Sequence, residues 1–130
     1  MMDRRTFMTI ATAVSVGSGL AGLLAPAQLA AVFGVKFDDV ALSQARLLGT
    51  AYLGYAAIVW FGRDIRDAAA QRAIALGNFV SWTLGLVVTV VAIAAGLGSS
   101  QTWLLVALEV PFAAAWGYWT FADRSEATAT

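Results

Sequence analysis

Residues 73–96, AIALGNFVSWTLGLVVTVVAIAAG, decide the fold, because this stretch carries no charged side chain over a length that can cross a lipid bilayer. A membrane-spanning helix needs about 20 mostly apolar residues. Three other stretches meet this requirement, at residues 7–25, 41–61 and 103–122. The sequence therefore predicts an all-α integral membrane protein, a four-helix bundle that forms one domain over residues 1–130.

The composition supports lipid as the solvent and excludes several functions. Apolar residues make up 60% of the chain and charged residues 12%, whereas a soluble domain carries about 25% charged residues. The net charge of zero leaves no basic surface for nucleic acid. The chain has no cysteine and no histidine, which removes the thiolate nucleophile, the commonest metal ligand and the commonest acid–base group. We therefore expect no catalytic residues, metal or cofactor, and a protein that is not an enzyme.

The connection between the first two spans, residues 26–40, carries a pattern of its own. Leu29, Val32 and Phe33 would form one apolar stripe of a short helix that Gly34 ends. This segment either lies in the membrane interface or forms an ordinary loop against the bundle. At the other end of the chain, residues 123–130 are predicted to be a disordered tail.

The distribution of basic residues predicts the orientation. A four-span path places six of them on one side and two, Lys36 and Arg46, on the other. The six are Arg4, Arg5, Arg63, Arg66, Arg72 and Arg124. Because positive charge concentrates in the cytoplasm, both termini are expected there.

The first span also has features of an export signal. Arg4 and Arg5 precede a modest apolar run, and residues 25–27, Ala-Pro-Ala, are spaced like a cleavage site. Cleavage would leave three spans. We favour retention, because Ala11, Ser15 and Gly19 recur every four residues, as in helices that pack closely in lipid. The mass of the purified N-terminus distinguishes the two.

Similar small residues recur in the other spans. Gly77, Ser81, Gly85 and Thr89 share one face of the third. The second offers Ala41, Ala45 and Gly49, and the fourth Ala113 and Gly117. Such faces allow close helix packing in lipid, and they predict either a tight bundle or self-association.

Two ionisable residues lie inside the predicted spans, Arg46 in the second and Glu109 in the fourth. Their similar depth below the outer boundary suggests an intramembrane salt bridge. Arg46 could instead extend to the headgroups, and Glu109 could be protonated and bond Tyr52, Gln44 or a backbone carbonyl. The pair is either structural or the centre of a ligand or proton site.

The remaining deep polar residue is Asn78, which we expect to bond a neighbouring helix or, as the alternative, to serve transport. Aromatic residues gather near the predicted span ends and indicate interfacial belts. They are Trp60, Phe61, Trp116, Tyr118, Trp119 and Phe121 at the inner ends and Trp103 at the outer end. The deeper Trp82 is interpreted as packing.

Several short motifs run in the order Pro26, Phe33-Gly34, Ala45-Arg46-Leu47-Leu48-Gly49, then Trp60 and Arg63-Asp64. This order resembles a family of small uncharacterised bacterial membrane proteins with four predicted spans. The resemblance covers most of the chain and implies a multi-pass protein of the bacterial plasma (inner) membrane with its first helix retained. It implies no catalytic activity.

Two functions are compatible with these observations. The first is a non-enzymatic accessory or structural subunit of a larger membrane complex or of a homo-oligomer, with the bilayer as its other partner. The second is a small transporter or a protein that binds a lipophilic ligand, with Arg46, Glu109, Tyr52 and Asn78 as candidate site residues.

Overall fold

The structure is a computed structural model that describes residues 2–122, and within them the chain is helical without β-strands. The all-α class is therefore confirmed. The α-helices are α1 (Arg4–Leu24), α2 (Pro26–Val32), α3 (Asp39–Gly62), α4 (Ala68–Ala94) and α5 (Trp103–Gly117). A 3-10 turn, Ser100–Thr102, precedes α5 and a π-helical turn, Tyr118–Ala122, follows it. The predicted tail, residues 123–130, lies outside the described residues, as does Arg124.

Three helical stretches are long and apolar enough to cross a membrane, namely Arg4–Leu24, Ala68–Ala94 and Ser100–Ala122. They indicate a membrane protein. With 24 residues, the helix α3 is also long enough to cross a membrane. Its first half, however, contains Ser43, Gln44 and Arg46, and α3 is not among the three stretches that are apolar enough to span.

Aspartates begin three of the helices. The carboxylates of Asp3, Asp38 and Asp67 accept hydrogen bonds from the backbone amides three residues later, at 3.0, 2.8 and 2.7 Å. Such caps satisfy amides that a helix start leaves without a partner. The cap at Asp67 explains why α4 begins at Ala68, ahead of the expected residue 73. The hydroxyl and amide of Thr6 also hold the pKa of Asp3 below its ordinary value.

The short helix predicted after Pro26 is present as α2. Gly34 follows it with a φ of +67°, a conformation that glycine adopts without strain. The Ser99 hydroxyl donates a hydrogen bond to the Phe33 carbonyl, and a Cβ at Gly34 would lie 2.9 Å from the Ser99 Oγ. Gly34 therefore both ends α2 and leaves space for the turn that carries Ser99.

The described residues form two compact units, and the first comprises residues 2–63 and 98–101. Within it α1 and α3 pack as antiparallel neighbours. Small residues form the contact: Gly22 faces the Ala45 carbonyl, and Gly19 faces the carbonyl of Gly49. The expected small face of α1 is confirmed as a packing face, since Ala11, Ser15, Gly19 and Gly22 are all buried.

The second compact unit comprises residues 64–97 and 102–122, in which α4 and α5 pack together. Trp82 stacks on Phe112 with ring centroids 4.6 Å apart, which confirms its interpretation as packing. Gly117 lies against the Phe79 ring, where a Cβ would come within 3.1 Å of the ring carbons. The Phe79 ring also meets Phe121 edge to face.

Candidate intramembrane polar site

The carboxyl group of Glu109 is the most unusual polar feature of the second compact unit. Glu109 lies on α5, and its Oε1 accepts a hydrogen bond of 3.0 Å from the Thr89 hydroxyl on α4. Its Oε2 is buried and has no hydrogen-bond partner within the described residues. Because an unpartnered polar atom in an apolar surrounding is energetically costly, this oxygen is a candidate binding atom.

The carboxyl group of Glu109 lies against α4 beside Gly85. A Cβ on Gly85 would lie 3.4 Å from Glu109 Oε1, which is ordinary van der Waals contact. Gly85 and Thr89 therefore face Glu109, as the small-residue face of this helix suggested. Gly77 and Ser81, which belong to the same predicted face, are exposed. Of the four small residues predicted on this face, only Gly85 and Thr89 pack against α5.

The partner of Glu109 could have been found from the sequence. Thr89 and Glu109 each stand ten residues from Ser99, one on either side of the turn that joins α4 to α5. In an antiparallel helix pair, residues at equal distances from the connecting turn lie opposite each other. Sequence reasoning assigned Thr89 to packing alone and so missed this bond.

The other predicted site residues are placed differently. Arg46 is exposed and Tyr52 half-buried on α3, in the first compact unit, whereas Glu109 belongs to the second. The salt bridge between Arg46 and Glu109 stays a prediction. Asn78 is buried, and its side-chain amide donates to the Ile74 carbonyl, 2.9 Å away on its own helix. That bond differs from the expected one to a neighbouring helix, because the preceding turn offers a carbonyl within reach.

Most of the expected belt residues are exposed, but Trp116 differs. Its side chain is only 1% exposed, whereas Trp60, Phe61, Tyr118 and Phe121 are open. The belt interpretation is therefore wrong for Trp116, which packs in the protein. The sequence does not distinguish an interfacial tryptophan from a buried one, because both occur near the end of an apolar helix.

The residues described offer no cluster of three or more metal-binding side chains. Comparison of the chain with protein-family models, curated proteins and solved structures gave no match. At Glu109, one carboxyl group and one hydroxyl lie between the apolar helices α4 and α5. Such a pair can hold a small cation or exchange a proton.

The hydrogen bond between Thr89 and Glu109 is open to a direct test. We expect Thr89→Val to lower the free energy of unfolding by about 1 kcal/mol, because both oxygens of Glu109 then lack a donor. Thr83→Val is the matched control on α4, since the buried Thr83 hydroxyl has no partner within residues 2–122. Denaturant titration in mixed micelles measures both variants. Equal stability of the two would show that the bond contributes nothing.

Proposed function

We propose that this chain is a non-enzymatic integral membrane protein with four crossings, which serves as a structural or accessory subunit of a membrane complex or of its own oligomer. The observation that carries the proposal is the apolar surface of α4 and α5. Leu84, Val88 and Val91 on α4 and Leu104 on α5 are 58–68% exposed. Soluble monomers rarely expose large contiguous apolar patches, so lipid or another subunit is the natural cover.

The fourth crossing is supported by the packing of α1 on α3. At 1.5 Å per residue, the 24 residues of α3 extend about 36 Å, longer than the hydrocarbon core. The glycine contacts hold α3 antiparallel to α1, a helix that is apolar enough to span. A helix held in this way crosses with its partner, and its less apolar first half then lies against α1 or near the outer headgroups.

The basic residues support the proposed orientation, with both termini in the cytoplasm of a bacterium and the helices in its plasma membrane. Arg4 and Arg5 begin α1 and Arg63 ends α3, and these ends coincide in an antiparallel pair. The Arg63 guanidinium lies over the Trp60 ring, 3.1 Å from its centroid. A cation stacked on an exposed tryptophan suits the headgroup level.

Single cysteines test the four crossings, because the natural chain has none. All four probe positions are exposed: Met2 stands before the first proposed span, and Lys36, Arg66 and Ser100 each stand between two successive spans. We expect a membrane-impermeant maleimide to label Lys36→Cys and Ser100→Cys on intact cells, and Met2→Cys and Arg66→Cys only after permeabilisation. Labelling of Arg66→Cys and Lys36→Cys from the same side would contradict a crossing by α3.

The subunit role requires a second measurement. Extraction of native membranes in a mild detergent, followed by native mass spectrometry, should show either a fixed multiple of this chain or a partner at constant stoichiometry. A lone chain with only lipid bound would contradict the proposal. The same spectra give the mass of the N-terminus and so show whether α1 is retained.

A small transporter or a ligand-binding membrane protein is the second candidate. The unpartnered Oε2 of Glu109 favours it. Charge reversal tests the pairing that this candidate uses. If Arg46→Glu and Glu109→Arg each reduce folded protein and the double variant restores it, the two side chains meet in the membrane. If the double variant restores nothing, the pairing loses its support.

A further inference from the structure

We infer that Glu109 and Thr89 form a site for a monovalent cation, either a proton or Na⁺, inside the α4–α5 pair. The inference rests on the proposed membrane location and goes beyond the proposed subunit role. It starts from the different hydrogen bonding of the two carboxyl oxygens of Glu109. Oε1 is engaged by the Thr89 hydroxyl at 3.0 Å, whereas Oε2 is buried without a donor.

A bare carboxylate in this position would be strongly unfavourable, because uncompensated charge is disfavoured in hydrocarbon. Within the described part of the second compact unit, the elements that pack with α5 are α4 and the π-helical turn, and neither places a basic residue near Glu109. On α4 the nearest basic residue is Arg72, more than four turns from Thr89. The π-helical turn, Tyr118–Ala122, carries no basic residue. A small cation on Oε2 removes the imbalance without any change in the fold.

The available ligands narrow the chemistry to ions of single charge. One carboxylate neutralises one positive charge, and no second carboxylate lies on α4 or α5. A proton would convert Oε2 to a hydroxyl. Na⁺ would take the carboxylate and the Thr89 hydroxyl oxygen, which keeps a lone pair while it donates. A divalent cation beside a single carboxylate would leave one positive charge uncompensated, which hydrocarbon disfavours.

Dicyclohexylcarbodiimide is the probe, because it partitions into lipid and reacts with protonated carboxyl groups. The carboxyl oxygen bonds to the central carbon of the carbodiimide and its proton passes to a nitrogen; acyl transfer then gives a stable N-acylurea. Membranes that contain the full chain are treated at neutral pH in sodium chloride or in choline chloride. Peptide mass spectrometry reads the adduct on Glu109, and Glu109→Gln is the unreactive control.

Two results support the site. Equal labelling of Glu109 in both salts identifies a proton as the ligand. Labelling in choline that sodium suppresses at least severalfold identifies Na⁺. In either case a water-soluble carbodiimide should label the exposed Asp38 and leave Glu109 unmodified.

Three results overturn the proposed cation site. Labelling of Glu109 by the water-soluble reagent to the same extent as Asp38 would show that its carboxyl group is open to water. An unreactive Glu109 that becomes reactive in Arg46→Gln would show that Arg46, and not a small cation, neutralises it. Complete lack of labelling in every variant would also exclude the site.

Failure of the membrane proposal has a different signature. Alkaline carbonate washing of the same membranes, before labelling, removes proteins that do not span the bilayer. Release of the chain by this wash would reject the proposed function, whatever the carbodiimide does. Retention of the chain together with an unlabelled Glu109 would reject the cation site alone.

Discussion

Gly49→Ala is expected to lower the free energy of unfolding by about 1–3 kcal/mol, as overpacking of a close contact does. A Cβ on Gly49 would lie 2.7 Å from the Gly19 carbonyl oxygen and 2.7 Å from the Leu23 amide nitrogen. Both neighbours are backbone atoms of α1, so no side chain can rotate away. The two helices must separate, and close packing is lost along their contact.

The glycines on the opposite helix should respond less. A Cβ on Gly19 would lie 2.9 Å from the Leu53 side chain, which can change rotamer, and 3.0 Å from the Gly49 carbonyl oxygen, farther than the 2.7 Å contacts at Gly49. A Cβ on Gly22 would lie 3.1 Å from the Ala45 carbonyl. We therefore expect Gly22→Ala and Gly19→Ala to destabilise the protein less than Gly49→Ala. Denaturant titration in mixed micelles gives the order.

Gly54→Ala is the matched control, because it lies on the same helix as Gly49. Within the described residues a Cβ there meets nothing within 4 Å. Alanine is favoured over glycine in a helix by about 1 kcal/mol, so this variant should be as stable as the parent or more so. If Gly49→Ala behaved like Gly54→Ala, the close approach of α1 and α3 would be refuted.

The helix content and the small-residue face of α1 follow from sequence, because both depend on local periodicity. Ala11, Ser15 and Gly19 recur at a spacing that places them on one side of a helix, and all three are buried. The predicted start of the third span at residue 73 is too late, because it rests on apolar residues alone and α4 begins at Ala68. The capping aspartate at 67 was the better signal.

Of the candidate site, the sequence predicts Glu109 but not its hydrogen-bond partner. Glu109 stands out because a carboxyl group within an apolar span needs a reason. Its partner, Thr89, depends on the register of α4 against α5, which the short turn fixes. Depth in the membrane alone predicts Arg46 instead. The burial of Trp116 depends on tertiary contacts. So does the difference between Gly77, which is exposed, and Thr89, which is buried. No local pattern specifies those contacts, because every face of these helices is apolar.

Trp116→Ala should give the second large effect. The Trp116 side chain is 1% exposed and is the largest fully buried side chain in the described part of the protein. Loss of a buried aromatic group costs about 3–5 kcal/mol in soluble cores. In a bilayer the transfer contribution largely disappears, because lipid is as apolar as the protein interior. The cavity and the lost packing contacts remain, and we expect a loss of about 2–3 kcal/mol.

Trp103→Ala on the same helix separates packing from interfacial anchoring. Trp103 is 57% exposed, so its removal should change the free energy of unfolding by no more than about 0.5 kcal/mol. Both variants are measured in the same micelles, and Trp116→Phe, which keeps most of the ring volume, should recover part of the loss. Suppose instead that Trp103→Ala proved as costly as Trp116→Ala. Both tryptophans would then act mainly through the headgroup region, and the burial of Trp116 would not stabilise α5.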